Sequence, residues 1–135
     1  MQHKPVLTQQ EVAPVLAAAR AEAQKQQWAV TIAIVDDGGH LLALERLDRA
    51  PPISARIATE KARTAALGRR ESKVYEETIN AGRNAFLSAP LTAMLEGGVP
   101  IVCAGEVVGA VGVSGVKSDQ DAQVARAGIA ACPGS

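Results

Sequence analysis

The sequence has few aromatic residues and no net charge, and each shortage argues against a class of partner. Its 135 residues include one Trp, one Tyr and one Phe, so few rings are available for stacking on nucleic-acid bases. The 14 basic and 14 acidic residues cancel and are interspersed, which leaves no basic surface for a nucleic-acid backbone or an anionic membrane. Neither nucleic acid nor a membrane is therefore expected as a partner.

Long apolar runs and paired cysteines are also missing. No segment approaches the roughly 20 apolar residues that span a bilayer, and residues 1–5 precede no apolar stretch typical of a secretion signal. Cys103 and Cys132 form no Cys-x-x-Cys pair, and no His-x-x-x-His pattern occurs. We therefore expect a cytoplasmic protein with two structural thiols and no metal site.

What the sequence does contain is an alternation of helix and hairpin patterns. In chain order these are a helix over 8–26, a hairpin over 28–47, helices over 54–67 and 72–80, a mixed loop over 81–98, a glycine-rich hairpin over 97–115 and a helix from 118. Capping-box patterns at Thr8–Glu11 and Ser118–Asp121 mark the starts of the first and last helices. This order predicts an α+β fold, with helices on an antiparallel sheet, in one domain over 1–135 whose residues 1–7 form a flexible tail. So few helices leave part of the sheet uncovered, which predicts a homo-oligomer.

The glycine-rich hairpin is apolar on both faces. Gly109, Gly112 and Gly115 occur at intervals of three, within and at the end of its second strand. Glycine weakens a strand interior, so these positions indicate a bulge, a bend, or the close approach of a ligand or another backbone. The spacing does not match a phosphate-binding loop or a dinucleotide fingerprint.

Lys61 is the charge on the second helix that requires a partner. Helical spacing places four alanines on one face of this helix, with Lys61 at the edge of that face and the helix end at Gly68. One interpretation is structural, with Lys61 forming an ion pair with a carboxylate such as Asp36 or Glu96.

The other interpretation is a small-molecule site near the glycines. Cations and exposed backbone N–H groups there would favour a carboxylate or another anion. The candidate ligand-binding residues are Lys61, Thr64, Arg83, Asn84 and Gly112. If the site is catalytic, Asp36 and Glu60 are the candidate acid or base residues and Lys61 is the electrostatic one.

Four segments of the chain resemble the GlcG/HbpS-like family in sequence, order and spacing. They are residues 34–48, 61–66, 96–101 and 108–115, and the resemblance extends over about residues 8–131. It implies a profilin-like three-layer α/β/α fold with a five-stranded antiparallel sheet, assembled into homo-oligomers. Some members bind haem, and one relative is the C-terminal domain of PduO-type corrinoid adenosyltransferases.

Haem binding requires an apolar slot and commonly an axial His, Met, Cys or Tyr. The residues that could supply this ligand are His3, His40, Tyr75, Met94 and Cys103. His40 follows the Asp-Gly-Gly turn, and His3 is kept as a candidate because some relatives ligate haem through an N-terminal histidine. These two histidines are the candidate cofactor-binding residues.

Three functions remain open from the sequence. The first is a small-ligand-binding protein, with haem or a related tetrapyrrole as the first ligand to test. The second is a small cofactor-free enzyme of isomerase, lyase or hydrolase type, acting on a compact carboxylate in a catabolic pathway. The third is a structural or assembly protein with a vestigial pocket.

Overall fold

A four-stranded antiparallel sheet lies at the centre of the computed structural model, which describes residues 1–134. The elements in chain order are α1 (Gln9–Gln26), β1 (Thr31–Asp36), β2 (Leu41–Arg46), α2 (Ile53–Gly68), α3 (Ser72–Asn80), a 3₁₀ helix (Asn84–Ser88), β3 (Gly98–Cys103), β4 (Glu106–Ser114) and α4 (Ser118–Ile129). The predicted α+β class is confirmed. None of the helices in this described range is both long and apolar enough to cross a membrane.

The sheet joins the two predicted hairpins through their inner strands. Its order is β2-β1-β4-β3, and β1 pairs with β4 from Thr31 opposite Ser114 to Asp36 opposite Gly109. The expectation of five strands is wrong for residues 1–134, where the sheet has four. The stretch between α2 and β3 forms α3, the 3₁₀ helix and turns instead, because Gly82 and Pro90 interrupt it and no apolar alternation supports a strand.

Helices cover both faces of the sheet with cores of different composition. On one face, α1 and α4 pack side by side over branched side chains such as Val15, Ile32 and Val111. On the other face, α2 lies across β1, β4 and β3, and its core is almost entirely alanine, including Ala58 and Ala62. The small side chains bring α2 much closer to the sheet than a leucine-rich helix could come.

Gly112 permits this close approach. A Cβ atom at Gly112 would overlap the carbonyl oxygen of Ala58 and would lie 2.5 Å from the backbone nitrogen of Ala62. The close approach that the strand glycines predict therefore occurs here, and the neighbour is the backbone of α2.

Two helix ends differ from the sequence expectation. Helix α2 is capped by Arg69 in the left-handed conformation (φ 59°), and Gly68 is its last helical residue. Glycine is required at position 68 for a different reason, because a Cβ there would overlap the Tyr75 hydroxyl. Helix α4 has Lys117 as its N-cap residue, and the Lys117 N–H donates to Gln120 Oε1 at 3.3 Å. The capping box of α4 is therefore formed by Lys117 and Gln120, and Asp121 takes no part in it.

Contacts also occur within the segment that the sequence predicts to be a flexible tail. Leu7 is buried in the core beneath α1. The Lys4 ammonium donates to the Val107 carbonyl at 2.9 Å and lies 2.9 Å from Asp37 Oδ2. Residues 1–3 are exposed.

Candidate functional site

Lys61 forms a buried ion pair with Asp121 of α4. Its Nζ atom lies 3.1 Å from Asp121 Oδ2 and donates to the Val113 carbonyl at 3.1 Å. The two side chains are only 4% and 3% exposed. Lys61 therefore has the structural carboxylate partner that one interpretation requires, but the prediction of Asp36 or Glu96 as that partner is wrong.

The pair connects the helices on the two faces of the sheet. Lys61 comes from α2 and Asp121 from α4, and they meet where β3 begins and β4 ends. Gly97 leaves the required space, since a Cβ there would lie 2.8 Å from Lys61 Nζ. The second Asp121 oxygen accepts the Val116 N–H at 3.2 Å, and burial raises the pKa of Asp121 more than the Lys61 charge lowers it.

Thr64 and Ser72 hold the chain segment that precedes β3. The buried Thr64 hydroxyl donates to the Thr92 carbonyl, and the buried Ser72 hydroxyl donates to the Leu95 carbonyl at 2.5 Å. Ser72 Oγ also accepts the Gly98 N–H at 2.8 Å. These bonds place residues 92–98 firmly against α2 and α3.

The candidate ligand-binding residues do not form one site. Lys61, Thr64 and Gly112 are buried in contacts within the protein. Arg83 and Asn84 are exposed at the start of the 3₁₀ helix, where the Arg83 guanidinium lies 5.2 Å from the centre of the Phe86 ring. The cation of Arg83 is therefore accessible to a ligand and the cation of Lys61 is not.

The two candidate acid residues, Asp36 and Glu60, bind neighbouring groups of the protein. Asp36 Oδ1 accepts the N–H groups of Gly38 at 2.9 Å and His40 at 3.0 Å, which fixes the turn between β1 and β2. Glu60 forms an ion pair with Arg63 at 3.2 Å and accepts a hydrogen bond from the Thr92 hydroxyl.

The potential axial ligands lie in different surroundings. His3 and His40 are exposed, whereas Tyr75 is buried against Phe86 with ring centres 5.2 Å apart. Cys103 Sγ donates to the Gly134 carbonyl at 3.2 Å. In residues 1–134 no three His, Cys, Asp or Glu side chains converge in a way that could hold a metal ion.

Met94 lines an apolar groove between α3 and the segment that follows the 3₁₀ helix. The groove, called here the Met94 groove, has a volume of about 460 Å³, within the range of about 300–1,000 Å³ typical of small-molecule sites. Its lining residues are Glu76, Ile79, Asn80, Leu87, Leu91, Ala93, Met94 and Leu95. The sequence did not predict this groove, although the unusual length of the 81–98 connection was a signal for it.

The fold and these contacts define a small three-layer α/β/α domain built on one antiparallel sheet. A family model described as haem degrading protein HbpS-like matches residues 7–130, and the chain belongs to this HbpS-like family. Protein GlcG of Escherichia coli K12 is 60% identical over 114 residues, which are 84% of this chain and 85% of that protein. The resemblance to the GlcG/HbpS-like family is confirmed.

Two solved structures are similar to this chain throughout. A double mutant of Streptomyces reticuli HbpS is 32% identical, with a TM-score of 0.85 over 96% of this chain and 89% of that one. A complex of PduOC with haem is 25% identical, with a TM-score of 0.86 over 97% of this chain and 98% of that one. Haem binding thus occurs within the structural group to which the chain is similar.

Proposed function

We propose that this protein binds haem or a related tetrapyrrole in the Met94 groove. The observation that carries the proposal is the position of a thioether within an apolar groove of suitable volume. Ile79, Leu91 and Leu95 would contact the apolar ring, and Met94 would offer its sulfur to the iron. The haem complex of PduOC supports the choice of ligand.

Arg83 would hold a carboxylate of the same ligand. It lies in sequence between Asn80 and Leu87, both of which line the Met94 groove, and its guanidinium is exposed. An arginine at the rim of an apolar groove suits a tetrapyrrole, whose propionate groups are charged while its ring is apolar. Bound haem would supply redox and oxygen chemistry, and the protein would control access to it.

A hemin titration followed by absorbance tests the proposal. We expect a saturable shift of the Soret band in the unaltered protein. Met94→Leu keeps the apolar volume but removes the sulfur, so its bound spectrum should change and its affinity should fall. Leu87→Glu, which places a charge at an exposed position of the groove, should also weaken binding, while Val102→Glu on exposed β3 should not.

His3→Ala and His40→Ala test the histidines that the sequence favours as cofactor ligands. Both side chains are exposed outside the Met94 groove, so the proposal expects both variants to keep the Soret shift. Loss of the shift in His40→Ala or His3→Ala, with Met94→Leu unaffected, would assign the iron to that histidine and overturn the groove assignment. Absence of any saturable shift would overturn haem binding itself.

The enzyme hypothesis loses Lys61, one of its two candidate anion anchors beside Arg83, in this structure. Lys61 is buried and bonded to Asp121, so its ammonium cannot reach a substrate carboxylate without breaking that pair. No second function is therefore proposed. The cytoplasmic location stays a prediction from the sequence.

We also infer that copies of the chain associate through the β2 edge. Leu41 and Leu44 lie on the face that α2 covers elsewhere, because they pair with Val35 and Ala33 of the α2 core. Helix α2 contacts β2 but leaves these two side chains 50% and 40% exposed. An apolar edge strand is a common surface for association with another chain.

A further inference from the structure

We propose a second ligand site, for a small aromatic carboxylate, in a groove at the end of the sheet opposite the β1–β2 turn. This groove, called here the arginine groove, lies between the end of α1, the residues before β1 and those after β2, and has a volume of about 490 Å³. The residues that decide its chemistry are Arg20, Trp28, Glu45, Arg46, Asp48 and Arg49. None of them lines the Met94 groove.

The arginine groove is lined by more positive than negative groups, and only some of these groups have a partner within the protein. Arg20 and Glu45 neutralise each other, with Nε and Oε1 2.5 Å apart. Arg46 bonds the Ala50 carbonyl through Nε at 3.1 Å, and because it pairs with Thr31 its side chain lies on the α2 face of the sheet, opposite to Glu45. Arg49 is exposed and forms no hydrogen bond or ion pair with any described residue. The Arg49 guanidinium is therefore available to an anion.

An arginine without a partner in the protein is suited to binding a carboxylate. The planar guanidinium presents parallel N–H donors that match the two oxygens of a carboxylate, and such charge-assisted bonds are stronger than neutral ones. Asp48 is the opposing charge, since its carboxylate would repel the ligand.

Trp28 supplies an apolar wall to the same groove. Its side chain is partly buried and packs against the α1 and α4 core, and Leu47 lies in the groove beside it. A ligand that fills this space must therefore combine a flat apolar body with an anionic group. A small aromatic carboxylate meets both requirements, whereas an inorganic anion uses only the Arg49 guanidinium.

Trp28 also allows the site to be tested directly, because it is the only tryptophan in the sequence. Haem-free protein is titrated with benzoate at constant ionic strength while Trp28 fluorescence is recorded, and calorimetry repeats the titration. We expect a saturable response to benzoate and much weaker responses to acetate, which lacks the ring, and to benzyl alcohol, which lacks the charge. No saturable binding of benzoate by either method would overturn the proposal.

Charge variants distinguish the arginine groove from unspecific binding. Arg49→Ala should weaken benzoate binding about tenfold or more, as expected for loss of hydrogen bonds to a charged group. Asp48→Asn should strengthen binding, because it removes the opposing carboxylate. Arg56→Ala removes the same charge from an exposed position on α2 and should change nothing.

Two outcomes would contradict the assignment even if benzoate binds. One is an affinity in Arg49→Ala equal to that of the unaltered protein, with circular dichroism showing that the variant is folded. The other is equal weakening in Arg49→Ala and Arg56→Ala, which would indicate a general charge effect. Because the Met94 groove shares no lining residue with this site, a failed hemin titration leaves the result unaffected.

Discussion

Lys61 and Asp121 are two charges removed almost completely from water. Such a pair gains little net stability over apolar residues of similar size, because desolvation opposes the Coulomb attraction. Removing one partner is strongly destabilising, because the other charge then stays buried without a counter-charge. The Val113 carbonyl and the Val116 N–H are the other polar contacts of the pair, and neither can neutralise a full charge.

Substitution of the pair should therefore be strongly non-additive. We expect Lys61→Met to lower the free energy of unfolding by about 3–5 kcal/mol, and Asp121→Leu to do the same. The double variant should lose clearly less than the sum of the two, because no charge remains buried. Urea denaturation of the four proteins measures these differences.

The exposed pair of Glu60 and Arg63 provides the control. Arg63→Ala should cost no more than about 1 kcal/mol, since solvent-exposed ion pairs contribute little to stability. If Lys61→Met were as mild as Arg63→Ala, the buried pair would not have the energetic role that its burial implies.

At this scale the sequence indicated the residue but not its partner. Lys61 could be recognised because a helix has a fixed period, so a charge at the edge of an alanine face stands out. Asp121 could not be recognised, because it is 60 residues away on the opposite side of the sheet and its spacing from Ser118 resembled a capping box. Only the tertiary structure brings the two together.

At the scale of elements, the contact of α2 with β4 depends on the absence of side-chain atoms. Helix α2 contributes a face of alanines, and Gly112 on β4 receives the backbone of that helix. Interiors at native packing density have no spare volume at such a contact.

Gly112→Ala should accordingly separate α2 from the sheet. The added methyl group meets backbone atoms of Ala58 and Ala62 that cannot rotate away, so we expect a loss of about 1–3 kcal/mol in the free energy of unfolding. Gly38→Ala is the matched control, because the nearest atom to its Cβ would be 3.4 Å away, and its effect should stay within about 0.5 kcal/mol. Thermal or urea unfolding measures both, and equal stability of the two variants would contradict the close-packing account.

Elements whose own residues carry a sequence pattern were predictable, and the Met94 groove was not. The span of α3, Ser72–Asn80, agrees with its sequence pattern, and the Thr8 and Glu11 capping box forms as expected. The groove depends instead on residues 92–98, whose position is fixed by side chains of α2 and α3 such as Thr64 and Ser72. Hydrogen bonds to carbonyl groups leave no pattern in the sequence of the segment that accepts them.

For the whole molecule, the uncovered part of the sheet supports association of copies through β2. Helices α1 and α4 cover one face, and α2 covers β1, β4 and β3 on the other, with α3 beside it at β3. The sheet is wider than one helix, so the apolar side chains of the outermost strand, Leu41 and Leu44, are left in solvent.

Leu44→Lys should shift the protein towards a monomer. We expect the unaltered chain to sediment as an oligomer and the variant to sediment as a smaller species, because the charge would have to be desolvated at the contact. Val102→Lys, at an exposed position on the opposite edge strand β3, should leave the assembly intact. A monomeric unaltered protein, or equal dissociation in both variants, would contradict an interface at β2.

The order of strands has a further consequence for how the chain acquires its fold during synthesis. The inner strands β1 and β4 pair with each other although Thr31 and Ser114 stand near opposite ends of the sequence. Until β4 has left the ribosome, β1 has a partner on one edge only, and neither hairpin alone has both helical layers to cover it. Contacts of such long sequence separation slow folding and leave an open apolar strand edge during translation. The centre of the sheet can therefore be completed only after β4 has been synthesised.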